Sequence, residues 1–410
     1  MQNYINPSKP SIRKGITINL MFIVFYALYA MVQNIQFSID GISSFVILLF
    51  LLAYGAYYTF LRKKINQEIF IVFSLLSLLI GVGYQYLTAH INTPFPILSY
   101  LIIFAKMFMP VVMLIVLLKK GNVSELSMTF WILTIIFIYV LITTIIEFSV
   151  NENIVHEMTN MNYANFLSDV KNVASMDQSY AVLPVSVLCV YALSKCKNKL
   201  IKILSILGLA LITGFIFVAQ FTSILFIMLI CVMLEILWLN KDKHVIILIF
   251  TFVFILLLCL PNILTAVAKI IDSENMKARI LEVVAFLTEG DLSGYNLSSR
   301  LQMYKDGIVA FLQSPFWGNY TLKSNPHSSF IQFAADLGML GIVSFIYMLV
   351  VAQKKIKKHL SKDGKKGFNI AFLSLVITGL INPIIQFPTF CIMTFLYVPL
   401  GIVLIDKYSK

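Results

Sequence analysis

Predominantly apolar runs of about 18 residues or more, the length that crosses a bilayer core, recur along this chain from end to end. Twelve can be read, at 16–35, 42–61, 68–87, 95–118, 128–150, 178–194, 201–218, 221–239, 244–261, 330–352, 368–386 and 389–405. Lipid offers the backbone no hydrogen-bond partner, so a spanning segment must satisfy itself as a helix or within a closed barrel. The runs lack the two-residue alternation of barrel strands. Composition agrees, since 59% of the 410 residues are hydrophobic and 12% are charged. The expected fold is a single all-α polytopic membrane domain over 1–410 with twelve transmembrane helices.

A net charge of +12 raises the question of a nucleic-acid partner, and the placement of the charge answers it. Of 31 Lys and Arg, 23 fall in the termini and in alternate connections: Lys9–Lys14, Arg62–Lys64, Lys119–Lys120, Lys195–Lys202, Lys241–Lys243, Lys354–Lys366 and Lys407–Lys410. Seven lie in the other connections and one, Lys106, within a span. This is the positive-inside distribution, which predicts N and C termini in the cytoplasm and no nucleic acid as partner. Four of the five cysteines sit within or at the end of spans and show no paired spacing, so they read as small apolar residues. No small-residue cleavage site follows the first run, which is expected to stay as an uncleaved anchor.

Most connections are short, and the Lys-rich 353–367 is expected to be a solvated cytoplasmic strip. Two outward ones differ. Residues 151–177 form a modest loop, and residues 262–327 form a loop of 66 residues, too long to be connective only. Met276, Ile280, Val283, Val284 and Leu287 recur at helical spacing after Asp272 and Ser273, two N-cap residues. Beyond the break at Gly290 to Gly294, Ser298 or Ser299 is expected to cap a second helix. Leu301, Tyr304, Ile308, Phe311 and Leu312 form its apolar stripe, with Arg300, Lys305 and Asp306 on the other face. Helices of this kind lie in the interface or fold over the bundle.

The second half of that loop carries Arg300 opening a helix, Ser314-Pro315-Phe316-Trp317-Gly318 ending it, then His327-Ser328. Gly338-Met339-Leu340-Gly341 follows in the next span. Order and spacing of these motifs resemble the O-antigen polymerase and ligase superfamily. Its members are membrane glycosyltransferases acting on undecaprenyl-pyrophosphate-linked saccharides. The resemblance covers about 50 residues closely and the rest through topology. It implies an active site in the 262–327 loop, at the outer face of a bacterial cytoplasmic (inner) membrane. There, lipid-linked repeat units would be polymerised into O-antigen, capsule or exopolysaccharide, with inversion at the donor carbon. The expected partners are the undecaprenyl-pyrophosphate-linked oligosaccharide, membrane lipid, a chain-length regulator and a flippase. The O-antigen ligase is the alternative within the same chemistry, and a flippase or secondary transporter is the alternative outside it. The outward turn Ala219-Gln220-Phe221-Thr222-Ser223-Ile224 lacks the Ser-Arg pair that many members carry, which favours polymerase over ligase.

Such a reaction needs one base for the acceptor hydroxyl and fixed cations where charge grows on the leaving pyrophosphate. Arginine suits the second task because its planar fork holds two phosphate oxygens at once. His327 is the expected base, with His156 in the smaller loop as a second candidate. Arg300 and Arg279, the two outward arginines, are the expected pyrophosphate ligands, Arg300 also acting in catalysis. Lys106, at a cost of about 2.5–3.5 kcal/mol in mid-span, is expected to face the bundle interior, with Glu147 as partner. Both are candidates for substrate binding, as is Asp336, which can orient His327. Glu235 is expected to snorkel at the cytoplasmic end of its helix. Asp272-Ser273-Glu274 reads as a helix N-terminus, so no metal and no cofactor are expected.

Overall fold

The computed structural model describes residues 18–32, 96–120, 123–149, 173–174, 176–219, 222–239, 251, 258–266, 268–269, 274–289, 295–319, 327–383 and 388–408. Among them the chain is helical, with no strand. In order, the helices are α1 (Ile18–Met31), α2 (Pro96–Lys120), α3 (Val123–Phe148), α4 (Met176–Tyr180), α5 (Val182–Lys195), α6 (Lys199–Ala219) and α7 (Thr222–Leu239). There follow α8 (Glu274–Glu289), α9 (Tyr295–Gln313), α10 (Ser329–Lys357), α11 (Lys362–Ile381) and α12 (Pro388–Ile392). A π-helical turn, Met393–Tyr397, leads into α13 (Val398–Tyr408). Among the described residues five stretches are long and apolar enough to cross a membrane: Val123–Phe148, Lys199–Phe217, Ser329–Lys357, Lys362–Ile381 and Pro388–Tyr408. The expected spans 42–61 and 68–87, and most of 244–261, lie outside the described residues.

The interior is apolar and rich in aromatic rings. The rings of Phe104, Phe333 and Phe345 lie 4.5–6.4 Å from one another where α2 meets α10, Phe333 and Phe345 stacked and Phe104 tilted or edge-on to them. α5 lies at the centre: Val182, Leu183, Val187 and Tyr191 are fully buried, and it packs against α6, α7, α11 and α13. Such a helix is apolar all round because it meets protein on every side.

Three expectations about element boundaries change. The run at 178–194 is two helices, α4 and α5, meeting at Ala181, whose N–H bonds the Gln178 carbonyl at 3.1 Å. The 353–367 connection is not a solvated strip. α10 continues to Lys357 and α11 begins at Lys362, where the Ser361 hydroxyl accepts from the Gly364 N–H at 2.9 Å. Lysine is a good helix former, and Lys354, Lys355 and Lys357 complement the negative end of the α10 dipole. α9 starts at Tyr295, a turn before the expected caps, so Ser298 and Ser299 lie within the helix.

The larger correction concerns which face of α9 packs. Leu301, Ile308 and Leu312 of the expected stripe are exposed, together with Val309, Phe316 and Trp317 beyond them. The face turned inward carries Arg300, Tyr304, Gly307 and Phe311 at helical spacing, with Gly307 buried. Hydrophobic periodicity identifies an apolar face but not what covers it; here that face is exposed, as on the interfacial helices that lay such a face on a membrane. Arg300 therefore lies on the packed side, while Lys305 and Asp306 stay exposed.

The helices run so that lysine clusters gather at one end of the bundle and uncharged polar groups at the other. At the lysine-rich end Lys195 (end of α5) pairs with Asp363 (start of α11) at 2.6 Å, and Lys366 pairs with the same carboxylate at 3.5 Å. Tyr191 donates to Asp406 near the end of α13 at 2.6 Å. Glu235 does not snorkel: it is 0% exposed, lies beside Gly367 and Tyr191, and has Lys195 and Lys366 within electrostatic reach.

Candidate functional site

The opposite end is where α1, α4, α7, α9, α10, α11 and α12 bring their termini together. An α-helix leaves its last carbonyls without intrahelical donors, and at the end of α11 other helices supply them. Ser328 donates to the Gly379 carbonyl at 3.2 Å, Tyr304 of α9 to Ile381 at 3.2 Å, and Ser329 to Asn382 at 3.1 Å. The Asn382 amide donates to the Tyr180 hydroxyl at 2.8 Å, and Tyr180 shares a hydrogen bond of 2.5 Å with Ser223. Gln178 and Thr389 donate to the Met31 and Ala30 carbonyls at the end of α1, at 2.9 and 2.5 Å. Tyr180, Ser328, Ser329 and Asn382 are all buried, so these bonds sit where water does not compete.

Two glycines fix α9 over this cluster. The chain leaves α9 through Ser314-Pro315-Phe316-Trp317 to Gly318, whose φ is +79°. A Cβ at Gly318 would collide with the Asp336 and Leu337 backbone. Gly338, with φ +64° and ψ −164°, breaks α10 in the middle, and a Cβ there would collide with the Phe316 and Trp317 backbone. The two backbones thus interlock, each needing the other's missing side chain. The groups freed by the break are satisfied across the contact: Asn319 N–H to Ala335 carbonyl at 2.8 Å, Met339 N–H to Pro315 carbonyl at 2.7 Å.

Arg300 projects from the packed face of α9 into this region. Its charge acts on Tyr180, Tyr304 and His327, so the four belong to one cluster. Arg300 makes no salt bridge among the described residues. His327 stands just before Ser328, whose Oγ accepts from the Ile331 N–H at 3.4 Å to cap α10. It has φ +35°, the one non-glycine residue with positive φ among those described, a strained conformation of the kind that clusters at functional sites. Burial and then the Arg300 guanidinium hold its imidazole below its ordinary pKa. Its Nδ1 is buried without a hydrogen-bond partner. Gln332 Oε1, Thr378 Oγ1 and Asn382 Oδ1, on the adjoining turns of α10 and α11, are in the same condition. Each such group costs about 1–3 kcal/mol if nothing answers it. Four such groups at one end of the bundle, with an arginine that has no acid partner among the described residues, are the chemistry that an exogenous group bearing anionic oxygens and hydroxyls would satisfy.

The other expected residues are placed as follows. Asp336 is 0% exposed and lies on α10 under the Gly318 turn. No hydrogen bond joins it to His327 among the described residues. Lys106 of α2 has its ammonium 5.1 Å from the centre of the Tyr29 ring, and its carbonyl accepts from Tyr26 at 2.5 Å. This cation–π contact answers part of the cost of a charge in the bundle. Glu147 lies near the end of α3, half-buried. Arg279 belongs to α8, and its side chain falls outside the described residues, as do His156 and Asp272-Ser273. No group of three or more His, Cys, Asp or Glu able to hold a metal occurs among the described residues. A cavity of about 290 Å³ lies at the lysine-rich end, remote from this cluster.

Sequence reasoning reached Arg300 and His327 but missed Tyr180, Ser223, Tyr304, Gln332, Thr378 and Asn382. A signal existed: polar residues interrupting otherwise apolar runs are expensive in a membrane and point inward. Asn382 inside Gly379-Leu380-Ile381-Asn382-Pro383 is the clearest such interruption.

No family model matches the chain, and no curated protein matches it. The functional reading rests on these residues themselves.

Proposed function

We propose that this chain is a twelve-span membrane glycosyltransferase that joins undecaprenyl-pyrophosphate-linked oligosaccharide repeat units at the outer face of a bacterial cytoplasmic membrane. The alternation of helix ends supports the topology. Lys119–Lys120, Lys195–Lys202, Lys354–Lys366 and Lys407 close or open helices at one end, which the positive-inside rule assigns to the cytoplasm. The Arg300–His327 cluster lies at the other.

The observation that carries the reading is that juxtaposition: a guanidinium with no acid partner among the described residues, acting on a half-buried imidazole whose Nδ1 is buried and has no hydrogen-bond partner among them. Arg300 binds the donor pyrophosphate, with the positive end of α10 adding to its field. His327, kept neutral by burial and by Arg300, accepts the proton of the acceptor sugar hydroxyl. That oxygen bonds to the anomeric carbon from the side opposite the leaving group. The bond from the anomeric carbon to the pyrophosphate oxygen breaks, and its electron pair leaves on the lipid diphosphate. Charge then grows beside Arg300, where a low-dielectric setting makes a fixed cation most effective. Arg279 is assigned as a second pyrophosphate ligand, and Lys106, Glu147 and Asp336 as residues lining the substrate's path. The step uses no metal or nucleotide. The apolar face of α9 keeps the helix at the membrane interface, so a lipid-borne substrate reaches Arg300 without leaving the bilayer.

The test is reconstitution of the purified chain with lipid-linked repeat units. A ladder of extended products is expected from the parent protein, and unextended single units from Arg300→Ala and His327→Ala. Equal ladders from all three would reject the site. Transport of units across vesicles without extension would assign a flippase instead, and transfer to a lipid A core acceptor would assign the ligase.

A further inference from the structure

The lysine-rich end holds a feature that the proposed reaction does not use. α3, α5, α6 and α13 diverge there around an apolar cavity of about 290 Å³, whose wall includes Trp131, Leu188, Leu204, Gly208 and Tyr397. Its shape follows from the sequence. Gly401 lets α13 pack tightly against Leu188 and Phe130, closing the floor. Gly208 lets α6 approach Cys189 of α5, and Ser205 and Ala192 place only small groups on the wall beside that contact. The π-helical turn brings Tyr397 onto Phe130, with rings 4.7 Å apart and nearly parallel at 8°. Turns of this kind are rare and recur at functional sites.

The chemistry of the lining is specific. Tyr397 and Thr134 bond each other at 2.9 Å, and Ser205 donates to Ile201 at 2.8 Å. These polar groups are already satisfied, so the wall selects hydrocarbon. The lips are apolar and open: Trp131, Leu204 and Leu207 are 48%, 43% and 59% exposed. Lys199 and Lys202 lie in the first turn of α6 and Lys407 in the last turn of α13, close in sequence to the lining residues Ile201, Leu204 and Tyr408. Unlike Lys195 and Lys366, which share Asp363, none of these three is in a salt bridge among the described residues. A hydrocarbon slot between helices whose ends carry lysines without an acid among the described residues complements one kind of molecule, an anionic lipid with its chain inside and its phosphate toward those ends.

We infer that the cleft between α3, α5, α6 and α13 binds an anionic glycerophospholipid, one acyl chain in the slot and its headgroup on Lys199, Lys202 and Lys407. It is a site separate from the Arg300–His327 cluster, and the proposed topology enters only in naming its leaflet as the cytoplasmic one.

The experiment is native mass spectrometry of the full chain released from vesicles of phosphatidylethanolamine and phosphatidylglycerol. The parent protein is expected to retain phosphatidylglycerol in preference to phosphatidylethanolamine. Gly208→Leu and Leu204→Trp, which fill the slot, should lose the retained lipid while keeping parental helicity by circular dichroism. Lys199→Glu, Lys202→Glu and Lys407→Glu, at exposed or half-exposed positions, should each weaken the anionic preference by about fivefold. Equal retention by parent and filled variants would overturn the proposal, as would a headgroup preference untouched by charge reversal. Displacement of the glycerophospholipid by an equimolar polyprenyl phosphate would also overturn it. Because the readout is bound lipid rather than saccharide extension, it stands or falls independently of the proposed catalysis.

Discussion

The two ends of this bundle gather different polar groups. At the lysine-rich end Asp363 takes Lys195 and Lys366 and Tyr191 donates to Asp406, while the buried Glu235 has both lysines within electrostatic reach but neither carboxylate oxygen hydrogen-bonded among the described residues. At the other end hydroxyls satisfy the orphan carbonyls of α11, yet His327, Gln332, Thr378 and Asn382 keep buried atoms with no partner among the described residues. Arg300 stands among them with no acid partner among the described residues. The first end is thus marked by lysine–carboxylate pairs, the second by an arginine beside uncharged polar atoms. The histidines follow the same division. Burial and then the neighbouring lysines Lys119 and Lys358 depress His359, whereas burial and then Arg300 depress His327.

That contrast can be broken at several points. Replacing His327 with Ala should lower the rate of chain extension by about 10²–10⁴-fold, the range for a lost general base. Unfolding temperature should hardly change, because the residue leaves no hydrogen bond behind. Arg300→Ala should cost about 10²–10³-fold in extension rate, as loss of one charge-stabilising donor does elsewhere. Arg300→Lys should recover only part of this, since a lysine cannot fork across two oxygens. Both are read from initial rates with lipid-linked repeat units.

A structural change at the same end should look different. Gly338→Ala places a side chain against the Phe316 backbone at φ +64°, a strain of about 1–3 kcal/mol. It should lower the unfolding temperature in detergent and loosen α9, whereas Gly208→Ala, whose Cβ meets only the Cys189 sulfur at 3.3 Å, should do neither. At the lysine-rich end Asp363→Asn removes the acid from two lysines. The carboxylate is 41% exposed, so roughly 0–1 kcal/mol is expected, with no loss of extension. A large loss of activity there would erase the contrast.

The smallest effect is a pH shift. A histidine base must be neutral, so with His327 in the proposed role extension should be constant at neutral pH and fall once the pH drops below the ordinary imidazole range, about 6.5. Arg300→Gln removes the second of the two causes that depress His327, so the imidazole should gain its proton at higher pH. The rate at which diethyl pyrocarbonate modifies the neutral ring, followed against pH, reads this without any turnover. An unchanged transition in the variant would separate Arg300 from His327.

How much of this could be read beforehand varied with the physics behind each feature. The all-helical fold was legible because span length and the missing alternation each exclude the other architectures. Arg300 and His327 were legible as residues, through their motifs, but the packed face of α9 was not. Periodicity cannot distinguish an apolar stripe that meets protein from one left exposed, so the sequence puts Arg300 on the face shared with Lys305 and Asp306, opposite the stripe expected to pack. The break in α10 at Gly338 was equally hidden. One glycine in an apolar run is ordinary, and only the opposing Gly318 turn gives it a reason. Tyr180, Ser223 and Asn382 come from three distant segments, and a single chain does not state which helix ends meet.

The most direct measurement compares the two ends by binding. Undecaprenyl pyrophosphate, presented in detergent or nanodiscs, should bind the parent protein and Lys195→Ala alike. Arg300→Ala should bind it about tenfold more weakly or worse, as expected when a charge-assisted contact is lost. Equal affinity in the parent and in Arg300→Ala, with the loss falling instead on Lys195→Ala, would place the lipid diphosphate at the wrong end of the molecule and contradict the account.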